Sequence, residues 1–251
     1  IATLHALRLR RAGVTTVADL GCGIGGDSLA FAGAGIAVQA VDADEVTAAI
    51  AAYNLSPFGT DAHVHQGYAE DALPDDPAAA VWLDPARRTA GHSETRRVAA
   101  SDYSPSLDWA FEVAATRPTG IKLGPGLDRD LIPEGVEAQW VSDGGSVVEL
   151  VLWSGVLARE GVRRAALIVR DGDVHELTAP ADAEDAEVRE LGAFVHEPDG
   201  AVIRARLIGE AARMLDAGML DPQIAYLTGD AAVTSPFVQS FRVRETLPAH
   251  P

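Results

Sequence analysis

Residues 15–27, TTVADLGCGIGGD, place an acid, Asp19, just ahead of the glycines Gly21, Gly23, Gly25 and Gly26. Side chains at such positions would keep a ligand off the backbone, and a tight turn there needs φ angles that glycine adopts cheaply. The free N–H groups of a following helix start then face the ligand. A second apolar run, residues 36–41, ends in Asp42, followed by Ala43. An acid at that point is placed to accept hydrogen bonds from a ribose diol. Glu70 and Asp71 follow a third strand-like stretch, either to meet an adenine amino group or to form a solvated acidic turn. The chemistry these residues support is the binding of an adenosine-containing cofactor.

Two cofactors compete for this loop. Gly21, Gly23 and Gly26 satisfy the dinucleotide pattern G-x-G-x-x-G, which taken alone is a weak signal. Three features favour S-adenosylmethionine over NAD. Asp19 stands two residues before the first glycine, where hydride-transfer enzymes carry an apolar residue, and could meet the cationic methionine end of the cofactor. Gly25 adds the G-x-G-x-G spacing. A further apolar run, residues 80–83, leads into Asp84-Pro85-Ala86-Arg87-Arg88, an element that dehydrogenases lack.

The arrangement resembles a class I S-adenosylmethionine-dependent methyltransferase, with Asp19 to Gly25 as its first motif, Asp42 as its ribose acid and Asp84-Pro85 as its fourth, catalytic motif. More closely, DLGCGIGGDSLAFA and VDADEVTAAIAAYN resemble the bacterial trimethylguanosine-synthase-like group, whose members methylate guanine in RNA. Residues 196–205 and 228–230 resemble the THUMP-like domain that follows such a methyltransferase. The resemblance implies S-adenosylmethionine as cofactor, RNA as partner, and a base amino or ring nitrogen as acceptor. It also implies a cofactor set of Asp19, Gly21, Cys22, Gly23, Gly25, Asp42, Ala43, Glu70 and Asp71.

In amino-group methyltransferases an acid or amide, then Pro-Pro and an aromatic residue, holds the target amine and stacks on its base. Here Asp84 and Pro85 match, while Ala86 and Arg87 replace the second proline and the ring. A guanidinium can also stack on a base or grip a phosphate. Arg87, Arg88, Arg96 and Arg97 follow the catalytic strand closely, read either as phosphate contacts or as a solvated loop. The Asp-Pro-x-Arg string also resembles C5-uridine RNA methyltransferases, which need a nucleophilic cysteine. The single cysteine, Cys22, sits in the glycine loop and is better read as a small residue filling the turn. Three other readings stand beside the main one: a cofactor-binding module with little or no catalysis, a methyltransferase of a non-RNA acceptor, and an NAD-dependent oxidoreductase.

The elements that must position these residues alternate. Helices are expected near 2–12, 26–34, 44–54 and 104–116. Strands are expected near 15–20, 36–41, 62–66, 80–84 and 119–123, a doubly wound, Rossmann-like parallel sheet. Asp143-Gly144-Gly145 joins two runs as a closing antiparallel hairpin. This gives a domain over 1–155 and a small α+β domain over 156–251. In the latter, residues 164–169 and 174–177 form a hairpin, 179–190 an exposed acidic excursion or a short helix, and 203–217 an amphipathic helix with Gly218 as its C-cap. Asp44 reads as a helix N-cap, Trp82 as core, and His63 and His65 as ordinary strand residues, with no metal.

The 251 residues carry a net charge of −17, which argues against a broadly nucleic-acid-binding surface and confines any RNA contact to a local basic patch. One cysteine excludes an intramolecular disulfide framework and suits a reducing cytoplasm. No apolar run approaches the ~20 residues of a membrane span. The chain begins at Ile1, not Met, and ends where a strand is finishing, so it is read as a fragment.

Overall fold

The computed structural model describes residues 1–87 and 103–247, which fall into two units. The first comprises Ile1–Val136 and Val151–Arg159. Its chain order is α1 (Ala2–Arg11), β1 (Thr16–Leu20), α2 (Gly26–Gly33), β2 (Ala37–Asp42), α3 (Glu45–Leu55), β3 (Ala62–Gln66), β4 (Ala80–Leu83), the two-residue strands β5 (Ala86–Arg87) and β6 (Tyr103–Ser104), α4 (Leu107–Thr116) and β7 (Thr119–Leu123). The strand order β7-β4-β1-β2-β3 is parallel throughout. Apolar runs buried on both faces are what such a sheet requires. β4 is buried at all four positions.

The sequence order reverses between β1 and β4, and at such a switch point the loops leave in opposite directions and open a crevice at the carboxyl ends of the strands. One side of the sheet is sealed by α1, α2 and α3: Leu9, Phe31 and Leu55 form one cluster with Val17, Val38 and Trp82. Gly120 on β7 makes room for this cluster, since a Cβ there would lie 2.5 Å from the Trp82 ring.

The second unit comprises Glu137–Leu150 and Glu160–Pro251. β8 (Glu137–Asp143) and β9 (Ser146–Trp153) are joined by Gly144 and Gly145, both at positive φ, as a two-residue hairpin requires. β9 continues into the first unit, where Ser154 N–H reaches the Thr119 carbonyl beside β7. β10 (Arg164–Arg170) runs parallel to β8 and pairs with β11 (Asp173–Ala179) around an Asp171-Gly172 turn, also at positive φ. A separate antiparallel sheet has the order β13-β14-β12-β15, from Gly218–Asp221, Ile224–Gly229, Phe194–Pro198 and Val238–Arg242.

The helix expected over 203–217 is two helices, α5 (Gly200–Arg204) and α6 (Ile208–Leu215). Each ends in a Schellman arrangement: Leu207 N–H donates to Val202 O and Arg206 N–H to Ile203 O, then Ala217 N–H to Ala212 O and Asp216 N–H to Arg213 O. The left-handed residues are Arg206 and Asp216, not glycines. Gly218 is therefore not the cap. It opens β13, where a Cβ would meet the Arg189 side chain at 2.6 Å. The 180–190 stretch contains no helix and is tied down by backbone bonds, among them Ala183 N–H to Arg206 O and Arg189 N–H to Met219 O.

Candidate active site

The glycine loop turns sharply from β1 into α2. Gly21 has φ 93°, which favours glycine, and a Cβ on it would stand 3.3 Å from the Asp84 carbonyl oxygen, so a side chain there would crowd the end of β4. The loop is also tied to β2: Gly21 and Cys22 N–H donate to the Val41 carbonyl at 2.8 and 3.0 Å, and Gly23 N–H donates to Asp42 Oδ2 at 2.9 Å. Asp42 Oδ1 accepts from Asp44 N–H at 2.9 Å. Asp42 is thus fixed by two backbone donors while each oxygen keeps a second lone pair for a ligand. Asp44 caps α3, accepting from Thr47 N–H at 2.8 Å.

Gly67 N–H donates to the Asp42 carbonyl at 2.9 Å and sets residues 67–70 beside β2. A cleft of about 350 Å³ results, at the switch point. It is lined by Gly21, Gly23, Asp42, Ala43, Glu70 and Asp84 from the expected set. Asp44, Gly67, Tyr68, Ser104 and Pro105 also line it, and sequence reasoning had assigned none of these to the site.

The other expected residues are placed differently. Cys22 is buried, its Sγ donating to the Gly23 carbonyl at 3.4 Å. Burial, with the Asp19 and Asp42 charges, pushes its thiol up to about 12, so it supplies no thiolate. Gly25, at φ 88°, precedes α2 and packs toward Ala51 and Leu55. Asp71 is exposed at the end of a short 3₁₀ turn whose first residue, Ala69, is buried, and Pro85 is buried. Ala86 and Arg87 pair antiparallel with Ser104 and Tyr103, a strand that a second proline at 86 would disfavour. Arg88, Arg96 and Arg97 lie outside the described residues.

Asp19 is fully buried beneath the loop and accepts a 2.5 Å hydrogen bond from Ser28 Oγ. Its Oδ1 has no hydrogen-bond partner among the described residues. Burial lifts its pKa to about 7 against the opposing Ser28 hydrogen bond, with Asp27 adding to the rise.

Sequence reasoning also missed an ionic group beside the cleft. Lys122 Nζ lies 2.6 Å from Asp84 Oδ2 and 2.8 Å from Asp27 Oδ2, and Asp27 Oδ1 is 2.9 Å from His5 Nδ1. Burial alone would raise Asp27, but His5 and Lys122 outweigh it and hold it near 2. Burial would likewise lower Lys122, and the charges of Asp27 and Asp84 outweigh that and raise it. One signal was available: Lys122 is the single lysine of a chain whose other cationic side chains are arginines.

This is an α/β Rossmann-like methyltransferase fold. A crystal structure from Porphyromonas gingivalis W83, whose assignment as a methyltransferase is provisional, matches it with a TM-score of 0.73 at 22% identity, over 97% of this chain and 64% of that one. In sequence, the chain is 35% identical over 244 residues to an uncharacterized S-adenosylmethionine-dependent methyltransferase of Mycobacterium tuberculosis, in strains CDC 1551 / Oshkosh and H37Rv alike. That alignment takes in 96% of this chain, and the chain spans about 65% of the length of those relatives. No protein-family model matches the chain. Among the described residues, no helix is long and apolar enough to cross a membrane, and no group of three or more His, Cys, Asp or Glu is gathered to hold a metal.

Proposed function

We propose that the chain binds S-adenosylmethionine in this cleft and transfers its methyl group to a base amino or ring nitrogen of RNA. The observation that carries the reading is that the glycine loop after β1, Asp42 at the end of β2 and Asp84 after β4 line one cleft at the switch point. The residues fit the cofactor. Gly21 and Gly23 leave bare backbone where a ligand lies, no atom stands within 4 Å of a Cβ built on Gly23, and Asp42 is held with acceptors to spare. The 35% identity to relatives named for the same cofactor supports this choice over NAD.

Bound there, the cofactor supplies an electrophilic methyl group on a sulfonium. For an amino acceptor the protein's part is orientation: the Asp84 carboxylate accepts a hydrogen bond from the amine N–H and aims the nitrogen lone pair at the methyl carbon. The S–CH₃ bond breaks to leave the neutral thioether, and the methylated nitrogen sheds its proton to water, which needs no general base of shifted pKa. The choice of RNA rests on the resemblance of residues 19–32 and 41–54 to enzymes that methylate guanine, and on the arginines that follow β4.

Calorimetry tests the cofactor. S-adenosylhomocysteine should bind in the micromolar range, about −8 kcal/mol, with no comparable NAD binding. Asp42→Ala should weaken it by about 1–3 kcal/mol, the cost of ligand hydroxyls left without their acceptor. Tight NAD binding with none of S-adenosylhomocysteine would contradict the proposal.

A further inference from the structure

Lys122 sits beside the cleft without lining it. β4 and β7 run parallel with Leu83 opposite Ile121, so the next residues along, Asp84 and Lys122, emerge side by side at the carboxyl end of the sheet. The ammonium there bridges two carboxylates, Asp84 at 2.6 Å and Asp27 at 2.8 Å. Asp27 comes from the first turn of α2 and pairs on its other oxygen with His5 of α1, whose ring lies 4.6 Å from that of Trp82. The series runs inward from Asp84, with 41% of its side chain exposed, to His5 with 4%.

Two roles compete for the lysine. An ion pair with Asp27 alone would be a structural tie beneath the glycine loop. The shorter contact, however, is to the cleft-lining carboxylate, and Lys122 is itself only 25% exposed. A strand-end carboxylate in water samples several orientations. An ammonium held from behind occupies one of its lone pairs and restricts those rotations, and an acceptor positioned by a fixed group reacts faster than one that must wait for it.

The geometry points to Lys122 as a positioning residue: held by Asp27 and His5, it fixes the Asp84 carboxylate in the orientation that receives the acceptor N–H. The inference rests on the reading of Asp84 as the acceptor-holding group, and the test separates the two.

Because Lys122 is the only lysine, protein grown on lysine labelled with ¹³C at Cε gives a single lysine ε signal from the full chain. Asp84→Asn and Asp27→Asn should each move that signal at neutral pH, since each removes a negative charge in contact with the ammonium. A signal unmoved by Asp84→Asn overturns the contact and the inference with it, whether or not any lysine variant folds. Transfer of tritiated methyl from S-adenosylmethionine to total RNA then reads the consequence. Lys122→Met should lower kcat at least tenfold with S-adenosylhomocysteine affinity within twofold. The double variant with Asp84→Asn should be no slower than Asp84→Asn alone, because residues acting through one another are not additive. Additive losses, unchanged kcat, or an equal loss of cofactor affinity overturn the inference while the reading of Asp84 stands. If the wild-type protein labels no RNA, both fall together.

Discussion

Asp19 and Asp27 are eight residues apart, and their environments move them in opposite directions. Asp19, lifted by burial to about 7, makes the folded chain hold more protons than the unfolded one between the ordinary carboxylate range and neutrality. Its contribution to stability is therefore lost as pH rises through about 7. Asp27, held near 2 by His5 and Lys122, contributes stability above the ordinary range that is lost as pH falls toward 2. The near-isosteric Asp19→Asn should accordingly flatten the fall in unfolding free energy between about pH 4 and 8, measured by denaturant titration at several pH values. Curves parallel to wild type would contradict the assignment. Gly21, Gly23, Asp42 and Asp84 were legible in the sequence because each sits at the end of a short apolar run, where local spacing carries the signal. His5, Asp27 and Lys122 were not, since Asp27 is 22 residues from one partner and 95 from the other, and only the folded sheet brings them together.

At the scale of elements, β4 depends on an absence in its neighbour. Trp82 fits between β1 and β7 because Gly120 has no side chain, and the indole then supports His5 at 4.6 Å and Trp153 at 5.6 Å. Gly120→Ala should destabilise the chain by about 1–3 kcal/mol through overpacking, read by denaturant unfolding. A change below about 0.5 kcal/mol would mean that the ring moves aside without cost. Gly21→Ala, strained at φ 93° and pressed toward the Asp84 carbonyl, should abolish binding of S-adenosylhomocysteine by calorimetry, and retained affinity would contradict the close approach. The parallel strands and their helices were readable from apolar periodicity to within a few residues. The break between α5 and α6 was not, because helix ends are recognised by glycine, and here Arg206 and Asp216 take the left-handed position. Gly218 supplied the expected letter at the wrong place: it is required by the approach of Arg189, a proximity that sequence does not display.

Over the whole molecule, a net charge of −17 means that any affinity for RNA must come from a local basic patch. Reversing Arg96 and Arg97 to Glu should lower the slope of log affinity against log salt by about 0.7 for each phosphate no longer neutralised, with S-adenosylhomocysteine binding unchanged. An unchanged slope would return that segment to a solvated role. The charge sum excluded a broadly basic surface from sequence alone, but which side chains meet an acceptor depends on the loops around the cleft, where sequence spacing is a poor guide. The central claim is that the cleft methylates RNA with Asp84 holding the acceptor, and it stands or falls on the transfer of tritiated methyl from S-adenosylmethionine to total RNA of cells lacking the protein, compared between wild type and Asp84→Ala. Label should enter RNA with wild type and not with the variant, whose affinity for S-adenosylhomocysteine stays near wild type. Wild-type protein that binds S-adenosylhomocysteine but labels no RNA, or an Asp84→Ala variant that labels it as well as wild type, would contradict it.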